Sequence, residues 1–277
     1  MMRRNVVKNF PIRGLVERRA VLRLFAGGAA FAAAGGPAFA AARGNEPRLP
    51  RLIAQSRAFP GIAGRIDFIS QGLLGVRYRG HTLIGGPRTP EAMVTREDGF
   101  DCVTFCETVL AAARANAVEE FAAILRQIRY QDGVVNWLTR NHYHHEWSQR
   151  NVANRLCRDV ELPGTVTIEK TVTWHRALGA RRFAMRVIPV NSLFEHRAML
   201  ATGDIVGFVT ARRNLDYFHT GLVVFGGNGE FLLRHASQSR GRVLDDTMQN
   251  FVRANRVHYV TALRPLDPAA GVAASKI

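Results

Sequence analysis

Apolar and polar positions recur along this chain with two different periods. Near its middle, in "GFDCVTFCETVLAAARA", Cys106, Val109, Leu110 and Ala113 fall at i, i+3, i+4 and i+7, the spacing of one helix face, which predicts a helix from Asp101 to about Ala115. Cys102 is the first member of that stripe. A second helix is expected over about Ala117 to Tyr130, with Val118, Phe121, Ala122, Leu125 and Ile128 turned inward. Two others precede them, in "RLPRLIAQSRAF" and in "GRIDFISQGLLG", the latter stopped at Gly75. After "QDGVVNWLTRNHYHHEW", which reads as loop, the period shortens to two. "VTIEKTV", "GDIVGFVT", "HTGLVVFG", "EFLLRH" and "RVHYVTAL" are expected as mostly antiparallel strands. Helices leading and sheet trailing predict an α+β domain, with no internal repeat or low-complexity domain after residue 43.

Composition adds a core and a destination. With 277 residues, 47% hydrophobic content and 11 prolines, the chain can bury a core in one or two domains. Its formal charge of +16 is partly a property of residues 1–40, which hold seven Arg or Lys against Glu17 alone; without them 31 basic face 21 acidic residues, or +10. That segment runs from "ERRAVLRLF" through "AGGAAFAAAGG" to the small-residue exit "PAFA" before Ala41, the layout of a cleaved export signal. Arg18 and Arg19 directly before the apolar run resemble a twin-arginine signal. The expected organisation is thus a signal over 1–40, a lead-in over 41–60 and the main domain over 61–277, acting in the periplasm or otherwise outside the cytoplasm. The Ala/Gly-rich run is too short of strongly apolar residues for a stable membrane anchor, and the basic residues form no run suited to nucleic acid.

Three cysteines, Cys102, Cys106 and Cys157, leave at least one thiol unpaired within an exported chain, and their spacing matches no zinc site. Asp101 can cap the predicted helix, which puts Cys102 in its first turn. There the unsatisfied N–H groups and the helix dipole favour negative charge, so a lowered thiol pKa is expected, and the same N–H groups suit the oxygen of a tetrahedral intermediate. A nucleophilic thiol needs a base. His219 opens a strand on which Gly221 is the next residue of the same face, leaving room for a facing helix. The return strand carries His235 beyond "GGNG"; a loop of three or five residues would let 219 face 235, whereas two or four would not. His235 could then orient His219, with both on a face shared with Cys102.

"FDCVTF", "GDIVGFV", "HTGLVV" and "NGEFLLRHAS", in this order, resemble NlpC-type papain-like cell-wall peptidases. "RIDFISQGLLGVRY", "LTRNHYHHEW" and "LATGDIVGFVTARRNLDYFHTG" extend the resemblance to the N-acetylmuramoyl-L-alanine amidase-like branch, over about residues 60–265. The resemblance implies a papain-like α+β fold with Cys102 as nucleophile, His219 as base, His235 as the residue orienting it, and Tyr78 near the nucleophile. Val76-Arg77 stand where a small residue and proline are expected, and Cys106 where an aliphatic residue is commoner. The implied reaction needs no cofactor: it hydrolyses the amide between N-acetylmuramic acid and L-alanine in peptidoglycan or muropeptides. An endopeptidase cutting after D-glutamate, and a wall-binding module without turnover, are the alternatives.

His142, His144, His145 and Glu146 are dense enough to suggest a metal. Adjacent histidines on an extended segment point apart, however, and no second element supplies further ligands, so no metal is expected. The resemblance instead makes Arg140, Asn141 and His142 part of a loop bordering the cleft, with Arg140 suited to a carboxylate. Trp137, Tyr143 or Trp147 would offer an apolar face to the sugar. The substrate side of the site then comprises Tyr78, Asp101, Arg140, Asn141, His142 and Tyr143.

Overall fold

The computed structural model describes residues 47–173 and 175–268; the export signal over 1–40 and the first residues of the lead-in lie outside them. Seven helices are present among the described residues: α1 (Arg48–Ser56), α2 (Ile62–Gly72), α3 (Cys102–Arg114), α4 (Phe121–Arg129), α5 (His144–Ala153), α6 (Val190–Glu195) and α7 (Met248–Asn255). Two short strands, β1 (Ile84–Gly86) and β2 (Thr89–Ala92), form a hairpin. The remainder, β3 (Cys157–Val160), β4 (Val166–Val172), β5 (Arg181–Pro189), β6 (Ile205–Val209), β7 (Tyr217–Phe225), β8 (Phe231–Ser237), β9 (Arg242–Thr247) and β10 (Tyr259–Pro265), form one antiparallel sheet. Its order is β4-β5-β10-β6-β7-β8-β9, with β3 also pairing β10.

Helix α3 starts where it does because Asp101 and Thr104 make a reciprocal capping box. The Thr104 N–H donates to Asp101 Oδ1 at 2.8 Å, and the Asp101 N–H donates to Thr104 Oγ1 at 3.0 Å. Every residue from Thr104 to Ala113 is buried, so the helix is enclosed on all sides. Glu107 is carried into this interior and is met there by Arg129 of α4, whose Nε donates to Glu107 Oε2 at 2.8 Å. Leu49, Leu52 and Ile53 of α1 join the same core, which builds the stretch before residue 61 into the domain that follows it.

Strand alternation gives the sheet two apolar faces. Ile205, Leu222, Ala236, Val243 and Leu263 face the helices α1 to α4, and Val206, Phe208, Val223, Leu233 and Val260 face Leu193 of α6 with Met248 and Val252 of α7. A smaller cluster joins Val172, Phe183, Met185 and Val187 to Tyr143 and Tyr217.

The expected α+β class with an antiparallel sheet is therefore what the chain adopts. Three local expectations change. Val118 and Ala122 face outward, because the helix begins with a 3-10 turn over Val118–Glu120 that rotates its apolar stripe onto Phe121, Leu125 and Ile128. His144 and His145, expected on an extended loop, open α5. Five strands are additional to those expected: β1, β2 and β3 have only three or four residues, β9 has six with two acids, and β5 places its alternating Phe183, Met185 and Val187 behind two leading arginines.

Candidate active site

At the start of α3 the Cys102 sulfur is faced by the backbone N–H groups of Thr220, Val103 and Cys102 itself, which act to lower its pKa. Burial and the neighbouring Asp101 carboxylate outweigh them and push the thiol up to about 12. The expected low-pKa thiol is thus not the resting state: the local dipole is present, but the enclosure of the site dominates. Cys106 lies one turn deeper with Sγ 3.9 Å from Thr220 Oγ1, and all three cysteines are free thiols. Tyr78 is beside the thiol, since its phenol is pushed upward by burial and then by Cys102 and Asp101. Its N–H donates to Gly241 O at 2.8 Å. Asp101 itself is engaged by the helix cap rather than turned to a ligand, accepting from both the N–H and the hydroxyl of Thr104.

β7 and β8 pair with Leu222 opposite Arg234 and Phe225 opposite Phe231, leaving a five-residue loop. That loop length has the parity that lets 219 and 235 share a face. The register places Gly221, not His219, opposite His235, so the two imidazoles meet diagonally. His219 Nε2 lies 2.7 Å from His235 Nδ1, with ring centroids 4.8 Å apart and planes at 88°. Gly221 is needed for this approach: a Cβ there would sit 2.9 Å from His235 Cβ and 2.9 Å from Arg234 O. The room it leaves is for His235, not for a facing helix.

The face itself also differs from expectation. Phe251 of α7 packs 5.1 Å from the His219 ring and 5.2 Å from the His235 ring, on the face away from α3, while Thr220 is the residue turned toward Cys106. Cys102 therefore approaches β7 at the Thr220 N–H, the peptide unit that joins Thr220 to His219, rather than from a shared face. A cavity of about 580 Å³ opens on the α7 side, lined by His219, His235, Asp246, Asn250, Phe251 and Arg240 among others. Burial holds both imidazoles neutral, with His219 pushed down to about 3 and His235 also below its ordinary value. Asp246 of β9, which no sequence motif singles out, places Oδ2 3.1 Å from His235 Nε2.

The 137–147 segment is built differently from a cleft wall. Arg140 Nη1 donates to Glu91 at 2.9 and 3.2 Å, and Tyr130 donates its hydroxyl to the same carboxylate at 2.8 Å. The Arg140 side chain is 11% exposed and Glu91 only 2%, so the carboxylate Arg140 binds is the chain's own. Asn141 donates to Ile128 O and accepts from Arg150, pinning the segment to α4 and α5. The His142 Nε2 is 2.6 Å from Trp137 O. Tyr143 and Trp147 are fully buried and present no face to a sugar, whereas Trp137, with Asn136 and Leu138, borders a separate cleft of about 630 Å³. His144 packs on Tyr217 and Trp147, and His145 on Phe183. Among the described residues, no three His, Cys, Asp or Glu side chains converge as metal ligands.

Residues 68–258 match the family described as AmiA-like, N-acetylmuramoyl-L-alanine amidase-like. No curated protein matches the chain. Among solved structures, a Legionella pneumophila protein of family DUF1460 superposes with TM-score 0.69 at 21% identity, covering 79% of this chain and 94% of its own. An N-acetylmuramoyl-L-alanine amidase from Bacteroides uniformis gives TM-score 0.60 at 23% identity, covering 72% and 97%. A Bacteroides fragilis protein named provisionally as a xylanase gives 0.60 at 22%, covering 70% and 98%. At these identities the likeness is one of fold.

Proposed function

Because the chain belongs to the N-acetylmuramoyl-L-alanine amidase-like family, we propose that it hydrolyses the amide between N-acetylmuramic acid and L-alanine in peptidoglycan fragments, by a thiol mechanism on a papain-like NlpC-type fold. The observation that carries the mechanism is the meeting of the Cys102 sulfur with the Thr220 N–H, one residue from a His219 ring bonded to His235. The Bacteroides uniformis neighbour named as such an amidase supports the same bond.

In the resting site the thiol and the His219 imidazole are both neutral. The thiol proton therefore passes to His219 as sulfur attacks the lactyl carbonyl carbon, not before. The carbonyl oxygen becomes an oxyanion facing N–H groups at the start of α3. His219 then gives its proton to the alanine nitrogen as the C–N bond breaks, leaving a thioester on Cys102. Water attacks the thioester and yields a proton to His219; the C–S bond breaks and sulfur recovers that proton. His235 keeps His219 in the orientation this exchange requires. Export directed by residues 1–40, which are then removed, would bring the chain to this substrate, and the excess of basic residues favours acidic muropeptides.

The test compares muramoyl-tripeptide with the sugar-free tripeptide L-Ala-D-Glu-diaminopimelate and identifies the products by mass. Free N-acetylmuramic acid with intact peptide is expected, and Cys102→Ser or His219→Ala should each abolish it in a folded protein. Release of L-Ala-D-Glu from the sugar-free peptide would make the enzyme an endopeptidase. Absence of product from both substrates would make it a binding module.

A further inference from the structure

β9 carries two adjacent acids, Asp245 and Asp246, and strand alternation sends them to opposite faces of the sheet. Asp245 meets Arg234, whose Nε and Nη2 donate to its two oxygens at 2.8 and 2.9 Å on the α3 side, where Arg234 also donates to Asp67 and Ser70. That carboxylate is structural, because it neutralises an arginine buried in the core. Asp246, on the other side, makes no arginine ion pair among the described residues. Its Oδ2 faces His235 Nε2 at 3.1 Å, next to the 580 Å³ cavity and Phe251.

The donors and acceptors along this row have one consistent arrangement for two neutral rings. A carboxylate can only accept, so His235 must carry its proton on Nε2. Its Nδ1 is then bare and can only accept, so the 2.7 Å contact requires the proton of His219 on Nε2. His219 is left with Nδ1 bare, the ring nitrogen nearer the main chain, in the residue whose peptide unit carries the Thr220 N–H that meets the Cys102 sulfur. Without the carboxylate, either tautomer of His235 satisfies the contact with a matching His219. Half of those arrangements put the His219 proton on Nδ1, where it cannot act as a base toward the thiol.

We propose that Asp246 is a positioning residue: through His235 it fixes the tautomer of His219, making Nδ1 the basic nitrogen of the site. This rests on the thiol mechanism proposed above only for its kinetic consequence, since the tautomers themselves can be read without substrate. Ring nitrogens of a neutral imidazole have distinct 15N shifts when bare and when protonated, so the test is 15N NMR of histidine-labelled full chain, with His219→Ala and His235→Ala for assignment. Wild type should show both rings protonated on Nε2, and Asp246→Ala should show a mixture.

In turnover, Asp246→Ala should lower kcat by about ten- to a hundredfold with KM unchanged. Asp246→Asn, whose carbonyl can still accept from Nε2, should recover most of it. Asp245→Asn should instead lower stability. Protonation of His235 on Nδ1 in wild type would overturn the proposal even if the enzyme is an amidase. So would wild-type kcat in a folded Asp246→Ala. Failure to detect amidase activity in any variant would count against the function and leave the NMR result to decide the tautomer.

Discussion

Adding one methyl group at Gly221 should damage the site more than its size suggests. In the Gly221→Ala chain the new Cβ would lie 2.7 Å from Leu233 Cδ1, 2.9 Å from Arg234 O and 2.9 Å from His235 Cβ. Leu233 can turn its far end aside, but the carbonyl and the His235 Cβ belong to the backbone frame of β8, so β7 and β8 must separate by several tenths of an ångström. Overpacking of this kind costs about 1–3 kcal/mol. Replacing glycine at a position that tolerates a side chain returns about 0.4–1 kcal/mol through the unfolded chain. A net loss of about 1–2 kcal/mol is expected. The larger effect is on the 2.7 Å contact between the imidazoles, because a shift approaching 1 Å at a reacting group can cost about a hundredfold in rate. Urea denaturation and kcat on a muropeptide measure the two effects separately. Gly227→Ala, in the loop of the same hairpin with nothing within 4 Å of the added atom, should leave both unchanged. Wild-type stability and turnover in Gly221→Ala would refute the packing argument.

Arg129→Met should destabilise the fold by about 3–5 kcal/mol, because it leaves the Glu107 carboxylate buried without its partner; Glu107→Leu added to it should recover most of the loss, and additive losses in urea would contradict this. With Cys102 held up to about 12, the rate of iodoacetamide alkylation should climb about tenfold per pH unit from 7 to 10; a plateau below pH 8, mapped to Cys102, would mean a preformed thiolate. Burial holds His142 at about 4, His144 and His219 at about 3, and His145 and His235 below their ordinary range. The folded chain therefore binds fewer protons than the unfolded one, and stability present above pH 6.5 is lost as pH falls through that value toward 4. The urea midpoint should drop between about pH 6.5 and 5, less steeply in His144→Phe, and a flat profile would refute it.

What the sequence determined by itself was local. The start of α3 was legible because Asp101 and Thr104 interact within one turn, and no distant residue is needed to place Cys102 there. The sequence left the parity of the β7–β8 hairpin open between odd and even loops, and only the Phe225–Phe231 pairing fixed it. Tertiary structure decided the rest. The offset that puts Gly221 rather than His219 opposite His235 depends on where the ladder begins. Alternation sends His219 and Thr220 to opposite faces, and packing put α3 against Thr220 and α7 against His219, where the sequence had suggested a face shared by His219 and Cys102. Tyr143, Trp147 and Arg140 belong to residue types that suit a binding loop, and the folding of α5 and the burial of Glu91 turned them inward. Asp246 became part of the site only when β9 paired with β8. The thiol pKa shows the same division: the helix start favours thiolate over a distance of one turn, while burial, which depends on every element that covers the site, decides the outcome.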